Sequence, residues 1–277
     1  MNTAVVTSSS FAPSFSNRGF LYGDAVFETL KMVNGQILFW EDHYFRLMAT
    51  MRIVRMEIPN HFTLENLEAE IQQVVTQNQI TSDAVRIRLT VYRDSEGLYT
   101  PKTNEVGYVI QVSSLENKTY INQHQPYEIE LYKDFFIPAQ LTSTLKTTNK
   151  IINVMAGVFA KENDYDNCIL LNEHKNVVEA INANVFIVKE GTLLTPPLTE
   201  GCVKGIFRKQ VLEAAQLLNI PVQELPITSF DLQKSTEVFL TNIISGIQSV
   251  TQYRKQTYGR EVANQILDLI NSKNQLL

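Results

Sequence analysis

The chain has 277 residues, 44% of them hydrophobic and 19% charged, which is enough apolar material for about two globular domains. Its 24 basic residues are outnumbered by 29 acidic ones, and the net charge of −5 argues against a nucleic-acid binder. Two cysteines, Cys168 and Cys202, favour a reducing cytoplasm over a disulfide framework, and we expect neither a secretory signal nor a membrane span.

Several catalytic signatures are missing from the sequence. The eleven glycines never form G-x-G-x-x-G or G-x-x-x-x-G-K, and H-E-x-x-H, C-x-x-C and G-x-S-x-G do not occur. The four histidines stand far apart, so we expect structural histidines and no metal site. These absences disfavour enzymes that use dinucleotides, P-loop nucleotides, zinc or a serine nucleophile.

Residues 1–115 are predicted to form a smaller α/β domain, from apolar residues at helical spacing or in strict alternation. Its predicted elements are a strand pair over 20–33 with a turn at Asn34-Gly35, helices over 41–56 and 64–75, the second capped by Thr63, and strands over 84–92 and 107–112.

Residues 116–126 are polar and unpatterned, so they are the predicted linker, and 127–277 form the larger predicted domain. Its predicted elements are strands over 127–132, 168–171, 177–188, 237–240 and 249–253, and helices over 149–162, 205–219 and 261–271. The sequence therefore predicts a mixed α/β (α+β) fold of two lobes with a ligand site in the cleft between them.

Lys146 lies in LTSTLKTTNK, between an extended segment and a helix whose start is marked by Thr148 and Asn149. A lysine at such a junction that points into a cleft is desolvated, which makes its neutral amine available for Schiff-base chemistry. The alternative is a solvated surface lysine, which is the commoner case.

Glu179 lies within the apolar strand VVEAINANVFIV. A buried carboxylate needs a partner, and a protonated ring nitrogen is a suitable one. The alternative is a glutamate on the outward face of a half-exposed strand, which the alternation also permits.

Two features could bind a phosphate. The segment TPPLTEGCVKGIFRKQ enters a helix through Gly201 and Gly205, and the amides at a helix start attract anions. Arg46, opposite the apolar stripe of its helix, could clamp a phosphate with two N–H groups. An ordinary loop and a solvated arginine are the alternatives.

A lysine for an imine, a carboxylate for a pyridine nitrogen and a phosphate cradle are together what pyridoxal 5'-phosphate requires. The order and wording of these segments, from about Asn17 to Val250, resemble the class IV aminotransferases. This fold-type-IV family of pyridoxal phosphate enzymes contains branched-chain and D-amino-acid aminotransferases and 4-amino-4-deoxychorismate lyases. The resemblance implies a two-domain, D-amino-acid-aminotransferase-like fold.

The resemblance also implies roles for individual residues. Six segments match the family's blocks in order: RGFLYGDAVFETL, EDHYFRLMAT, K-x-x-N at Lys146, VVEAINANVF, LTPPLTEGCVKGIFR and EVFLTNIISGIQSV. The implied catalytic residue is Lys146, which carries the imine. The implied cofactor-binding residues are Arg46, Lys146, Glu179, Gly205, Ile206, Phe207, Asn242 and Ile243. The implied substrate-binding residues are Tyr22, Phe27, Thr29 and, as the nearest arginine in YRDSEGLYTP, Arg93.

The sequence leaves two reactions open. Branched-chain enzymes usually have threonines where Phe207 and Ile243 stand and a glutamate at Ala183, whereas Thr29, Ala183 and Asn242 resemble the lyase branch. The loop over 92–101 lacks the arginine pattern expected for a lyase substrate, so we favour transamination between an amino acid and a 2-oxo acid. Release of pyruvate and 4-aminobenzoate is the alternative, and a non-catalytic cofactor-binding scaffold is a remote one. The resemblance further implies a homodimer, and we expect no nucleic-acid or membrane partner.

Overall fold

The computed structural model describes residues 14–276, and the chain divides into two compact units. The first unit runs to Lys118 and also includes Lys146–Asn149; the second comprises Thr119–Leu145 and the chain from Lys150 onwards. From the sequence, Lys146 was expected in the second domain. The structure places it in the first, because the Phe27 N–H donates to the Lys146 carbonyl (2.9 Å) and the Thr148 N–H donates to that of Ala25 (3.0 Å).

The first unit is an antiparallel sheet of order β2-β1-β3-β4 with helices packed on one face. Its elements are α1 (Arg18–Tyr22), β1 (Ala25–Val33), β2 (Gln36–Ile37), α2 (Trp40–Ile53), α3 (Leu64–Gln77), β3 (Ala84–Arg93) and β4 (Val106–Leu115).

Alternation decides which face of this sheet is buried. Val26, Leu30 and Met32 of β1 point into the same apolar core as Ile87 and Leu89 of β3, and helices α2 and α3 complete that core. Asn34 and Gly35, both with positive φ (48° and 78°), form the tight turn between β1 and β2. The predicted turn is confirmed, and so is the cap of α3, where the Thr63 hydroxyl accepts from the Asn66 N–H.

The second unit contains two five-stranded sheets, of order β14-β13-β5-β6-β7 and β10-β9-β8-β11-β12. Its strands are β5 (Glu128–Ile137), β6 (Asn167–Asn172), β7 (Val177–Ala180), β8 (Asn184–Lys189), β9 (Thr192–Thr195), β10 (Val222–Glu224), β11 (Glu237–Asn242), β12 (Gly246–Ser249), β13 (Gln252–Tyr253) and β14 (Gln256–Thr257). Its helices are α4 (Ile151–Glu162), α5 (Ile206–Leu217), α6 (Ser229–Lys234) and α7 (Glu261–Lys273).

One apolar core contains residues of both sheets, among them Ile169 of β6 and Val238 of β11. A second core joins β6 to Ala156 and Ala160 of α4. The predicted strand over 177–188 is two strands here, β7 and β8, which lie in different sheets. The mixed α and β fold predicted from the sequence is confirmed.

The segment predicted as a linker is not a free connection. Tyr120 and Asn122 are buried in the second unit. The backbone N–H and carbonyl of Tyr120 bond to the Asn271 side chain, and the side-chain Oδ1 of Asn122 accepts from the Ser249 N–H (2.9 Å). Polar composition suggested solvent exposure, but here the polar side chains satisfy buried backbone groups. Within residues 14–276, every helix is too short or too polar to cross a bilayer.

Candidate active site

Lys146 lies beside β1 in the first unit. Its neighbour Thr147 forms an antiparallel bridge with Val26, and its own amine lies 4.5 Å from the centre of the Phe27 ring. The lysine is half-buried. Thr148 and Asn149 do not cap α4 as the sequence analysis expected. They bond to the carbonyl of Gly23 instead, and α4 begins at Ile151.

Arg46 of α2 is held against Glu28 of β1. Its Nε donates to Oε1 (2.8 Å), and its Nη2 donates to Oε2 of the same carboxylate. The exposed fraction of the side chain is 11% for Arg46 and 1% for Glu28. His43, one turn before Arg46 on α2, lies 2.7 Å from Oε2 through its Nδ1. A buried carboxylate therefore orients the arginine for which the sequence analysis predicted a phosphate role.

These contacts control the charges of the group. Burial alone raises the pKa of the Glu28 carboxyl, but Arg46 and then His43 outweigh it and bring that pKa to about 2. Burial lowers the pKa of His43 by more than Glu28 raises it. At neutral pH the cluster is therefore an arginine–glutamate ion pair with a neutral imidazole, whose Nδ1–H donates to the carboxylate.

Phe27 and Thr29 lie on the face of the sheet opposite the core, as their alternation with Val26 and Glu28 requires. On β3, Arg88 pairs with Thr29, and its guanidinium carbon lies 3.9 Å from the centre of the Phe27 ring. Arg88 and Lys146 thus both contact the ring of Phe27. Arg88 was not among the site residues expected from the sequence; the signal that could have identified it is the alternation of β3, which places arginines opposite Thr29 and Lys31.

Tyr22 and Arg93 lie elsewhere in the first unit, around a cavity of about 340 Å³. The ring of Tyr22 lies 5.7 Å from that of Tyr99. Arg93 donates to the Asp24 and Asn104 side chains and to the carbonyls of Val54 and Arg55. All three guanidinium nitrogens of Arg93 therefore bond to protein acceptors.

Glu179 is buried in the second unit, on β7. Its Oε2 accepts from the Val203 N–H (2.9 Å), and the Asn153 amide of α4 approaches Oε1 at 3.5 Å. Its partners within the described chain are amide groups, with no cationic side chain among them. This is a buried acceptor that suits a cation supplied from outside the chain.

The segment 203–205 leads from Glu179 to the start of α5. Asn184 of β8 donates to the Val203 carbonyl (2.9 Å), and its Oδ1 lies where a side chain on Gly205 would begin. Gly205 is the N-cap residue of α5 and offers no side-chain cap to the first amides, those of Ile206 and Phe207. The segment that precedes the start of α5 is therefore hydrogen-bonded to Glu179 through Val203.

The remaining predicted residues pack next to this helix start. The Phe207 ring meets Tyr120 edge-on at 4.9 Å, and the Tyr120 hydroxyl donates to the Ile243 carbonyl (2.8 Å). The Asn242 side chain accepts from the amides of Ile244 and Ser245, which orders the loop between β11 and β12. Glu179, Gly205, α5 and this loop belong to the second unit, whereas Lys146, Arg46, Phe27 and Thr29 belong to the first.

Comparisons with known proteins show which family the chain resembles. The model of the amino-transferase class IV family matches residues 25–253. D-alanine aminotransferase of Listeria innocua is 24% identical over 258 residues, which cover 91% of this chain and 86% of that protein. Aminodeoxychorismate lyase of Vibrio harveyi is 26% identical over 238 residues, 85% of each chain.

Solved structures agree on the fold. A branched-chain aminotransferase from Thermoproteus uzoniensis, crystallised with norvaline, superposes with a TM-score of 0.85 at 24% identity and covers 95% of this chain and 90% of its own. The family match spans most of the chain, from β1 to β13, and the resemblance seen in the sequence is confirmed. The chain belongs to the class IV aminotransferase family, whose enzymes depend on pyridoxal phosphate.

Proposed function

We propose that this protein is a transaminase that binds pyridoxal 5'-phosphate and moves an amino group between an amino acid and a 2-oxo acid. The observation that carries the proposal is Glu179, a buried carboxylate whose partners in the described chain are amide groups. A protonated pyridine nitrogen would supply the missing cation.

The residues present fit this cofactor. The uncapped amides at the start of α5 suit a phosphate, since a helix start carries partial positive charge. Only glycine fits at position 205, next to those amides, because Asn184 occupies the space that a larger side chain would need. Arg46, oriented by Glu28, has a planar guanidinium whose N–H donors also suit a phosphate.

When bound, the cofactor supplies an aldehyde that captures amines and a ring that withdraws electrons from the carbon next to the captured nitrogen. Nζ of Lys146 would hold the group and, once released by the substrate, would take the proton from the substrate's α-carbon and deliver it to the carbon on the other side of the captured nitrogen. Phe27 and Thr29 line the substrate side, and Arg88 binds the substrate carboxylate. Glu179 keeps the ring nitrogen protonated.

The arginines bear on the choice between transamination and lyase chemistry. A lyase substrate with two carboxylates needs two cationic contacts in a partly desolvated site. Arg93 supports transamination, because protein acceptors already bond to all its nitrogens. One observation favours the lyase as a second candidate: Arg86 lies two residues from Arg88 on the same face of β3.

We also propose that the protein is a homodimer. Four apolar residues at helical spacing lie on the outer face of α4 and are 39–69% exposed: Ile151, Val154, Met155 and Val158. Such a stripe is typical of an interface, and a second copy is the partner that the family suggests. Cys168 and Cys202 are both buried and unpaired, which supports a reducing compartment.

The test is to supply purified protein, loaded with cofactor, with a panel of L- and D-amino acids and either 2-oxoglutarate or pyruvate. A parallel reaction contains 4-amino-4-deoxychorismate. We expect oxo-acid formation with at least one donor and negligible 4-aminobenzoate. Efficient release of 4-aminobenzoate without transamination would establish the lyase, and inactivity in both assays would favour the non-catalytic scaffold.

Attachment to Lys146 has its own test. Borohydride reduction of the loaded protein followed by peptide mapping is expected to place the pyridoxyl label on Lys146. Lys31 is a matched control, because it is a buried lysine on β1 whose pKa burial lowers to about 8. A label on Lys31, Lys150 or Lys204 would contradict the assignment.

A further inference from the structure

The side chains behind Arg46 suggest a role for a residue that does not touch the cofactor. Glu28 occupies a core-facing position of β1, between Val26 and Leu30, where an apolar residue would be expected. A carboxylate in such a place is costly to bury. Its partners are Arg46 and His43, both on the next helix.

The geometry defines which part of Arg46 Glu28 engages. The carboxylate bonds to the side edge of the guanidinium, formed by Nε and Nη2. The end edge, formed by Nη1 and Nη2, faces away from Glu28, since the guanidinium is planar. Because the two edges are distinct, the contact with Glu28 on the side edge does not itself occupy the edge with which a guanidinium binds a phosphate in two places.

We propose that Glu28, held in turn by His43, is a positioning residue that fixes the orientation in which the Arg46 guanidinium binds the cofactor phosphate. This inference rests on the proposed function, in which Arg46 binds that phosphate. A free arginine side chain loses rotamer freedom when it binds, whereas one already fixed by Glu28 has lost it on folding. His43 contributes one N–H donor and no charge, so it steadies the carboxylate without competing with Arg46 for it.

The experiment compares two ligands of protein freed of cofactor: pyridoxal 5'-phosphate and pyridoxal, which lacks the phosphate. The variants are Glu28→Gln, Arg46→Ala and the double variant, with Glu237→Gln as a control. Glu237 is also a buried carboxylate, but it accepts from the first amides of α7 and lies in the second unit. Dissociation constants are measured by titration, and unfolding by urea is followed in parallel.

We expect Glu28→Gln to weaken binding of pyridoxal 5'-phosphate by about tenfold and that of pyridoxal by less than about twofold. The double variant should bind no more weakly than Arg46→Ala, because the two residues act through one contact. Glu237→Gln should reduce stability without changing the ratio of the two constants. If Glu28→Gln weakens both ligands equally, or neither while Arg46→Ala is selective, the positioning role is wrong and the proposed function stands.

Unchanged affinity in Arg46→Ala would remove the phosphate assignment itself and this inference with it. Should Glu28→Gln fail to yield folded protein, His43→Leu serves in its place, because it removes only the donor to Glu28 and keeps an apolar volume. It should weaken pyridoxal 5'-phosphate selectively by about threefold. An equal effect of His43→Leu on both ligands would overturn the proposal.

Discussion

Two buried carboxylates of this protein differ in the partners that their surroundings provide. Glu28 forms an ion pair with Arg46, so its charge is satisfied within the first unit. Glu179 accepts from amides alone. A buried charge needs compensation, which Arg46 gives to Glu28 within the fold and which, in the proposed function, the ring nitrogen of the cofactor gives to Glu179.

Glu179→Gln should therefore reduce turnover by ~100-fold, the scale of losing one pre-organised electrostatic contact. The side-chain oxygen of the glutamine still accepts the hydrogen bond from the Val203 N–H, but without a negative charge it does not keep a ring nitrogen protonated. Borohydride labelling at Lys146 should persist in the variant. Steady-state rates measure the effect, and turnover equal to that of the wild type would return Glu179 to a structural role.

The two candidate arginines should respond differently to substitution. Arg88→Gln should raise the KM of the amino donor about tenfold, because a charge-assisted contact with a carboxylate is lost. Arg93→Gln should instead lower the free energy of unfolding by about 3 kcal/mol, since it leaves Asp24 and buried carbonyls without a donor. Kinetics and urea unfolding of both variants are the measurements; a selective KM effect in Arg93→Gln would restore its predicted substrate role.

Glu28 should also make stability depend on pH. Its pKa is about 2 in the folded protein against 4.5 ordinarily, so the unfolded chain binds more protons between these values. The stabilisation is therefore present above about pH 4.5 and is lost as the pH falls towards 2. Glu28→Gln should be less stable than the wild type by about 3 kcal/mol at pH 7 and by clearly less at pH 3. Urea unfolding at both values checks this, and a constant difference would contradict it.

At the scale of elements, the start of α5 depends on a close approach between two segments. From the sequence, Gly205 was expected to let an anion approach the backbone. The structure adds a different constraint, because a side chain at 205 would meet Oδ1 of Asn184. Since Gly205 has an ordinary φ of −68°, the requirement is for space and not for backbone freedom.

Gly205→Ala should therefore displace the segment from Val203 to Ile206, destabilise the protein by about 1–3 kcal/mol and weaken cofactor binding. Gly157→Ala is the matched control. Its added carbon would have a single neighbour at 3.9 Å, in the interior of α4, so stability should rise by about 0.5–1 kcal/mol. Thermal unfolding and cofactor titration distinguish the two, and equal effects would disprove the steric account.

At the scale of the whole molecule, the proposed dimer interface is the outer face of α4. Its inner face packs on β6 through Ala156 and Ala160, while its outer stripe remains apolar and exposed. Exposed apolar stripes of this length mark interaction surfaces.

Val158→Glu should shift the protein from dimer to monomer in analytical ultracentrifugation, because it places a charge at the centre of the proposed interface. Leu217→Glu is the control, since Leu217 is 59% exposed at the end of α5 and outside the stripe. A wild-type protein that sediments as a monomer, or a Val158→Glu variant that remains a dimer, would exclude α4 as the interface.

Sequence patterns predicted the elements well where a local period reports burial. The alternation of β3 and the helical spacing of α3, with its cap at Thr63, agree with the structure. They failed where a local signal had a distant partner. Thr148 and Asn149 resemble helix caps, but their side chains donate to the carbonyl of Gly23. Tyr120 and Asn122 resemble linker residues, but they are buried and form hydrogen bonds with Asn271 and Ser249.

The sequence by itself determined the family and the class of fold, and it singled out Lys146, Glu179 and Gly205 as candidate site residues, because ordered motifs and periodicity are local properties of the chain. Only the tertiary structure decided which groups neutralise each charge. Arg93 donates to acceptors within the protein, Arg88 lies over the ring of Phe27, and Glu28 orients Arg46. These assignments depend on contacts between residues far apart in sequence, whose pairing follows from strand register and helix packing and leaves no local pattern.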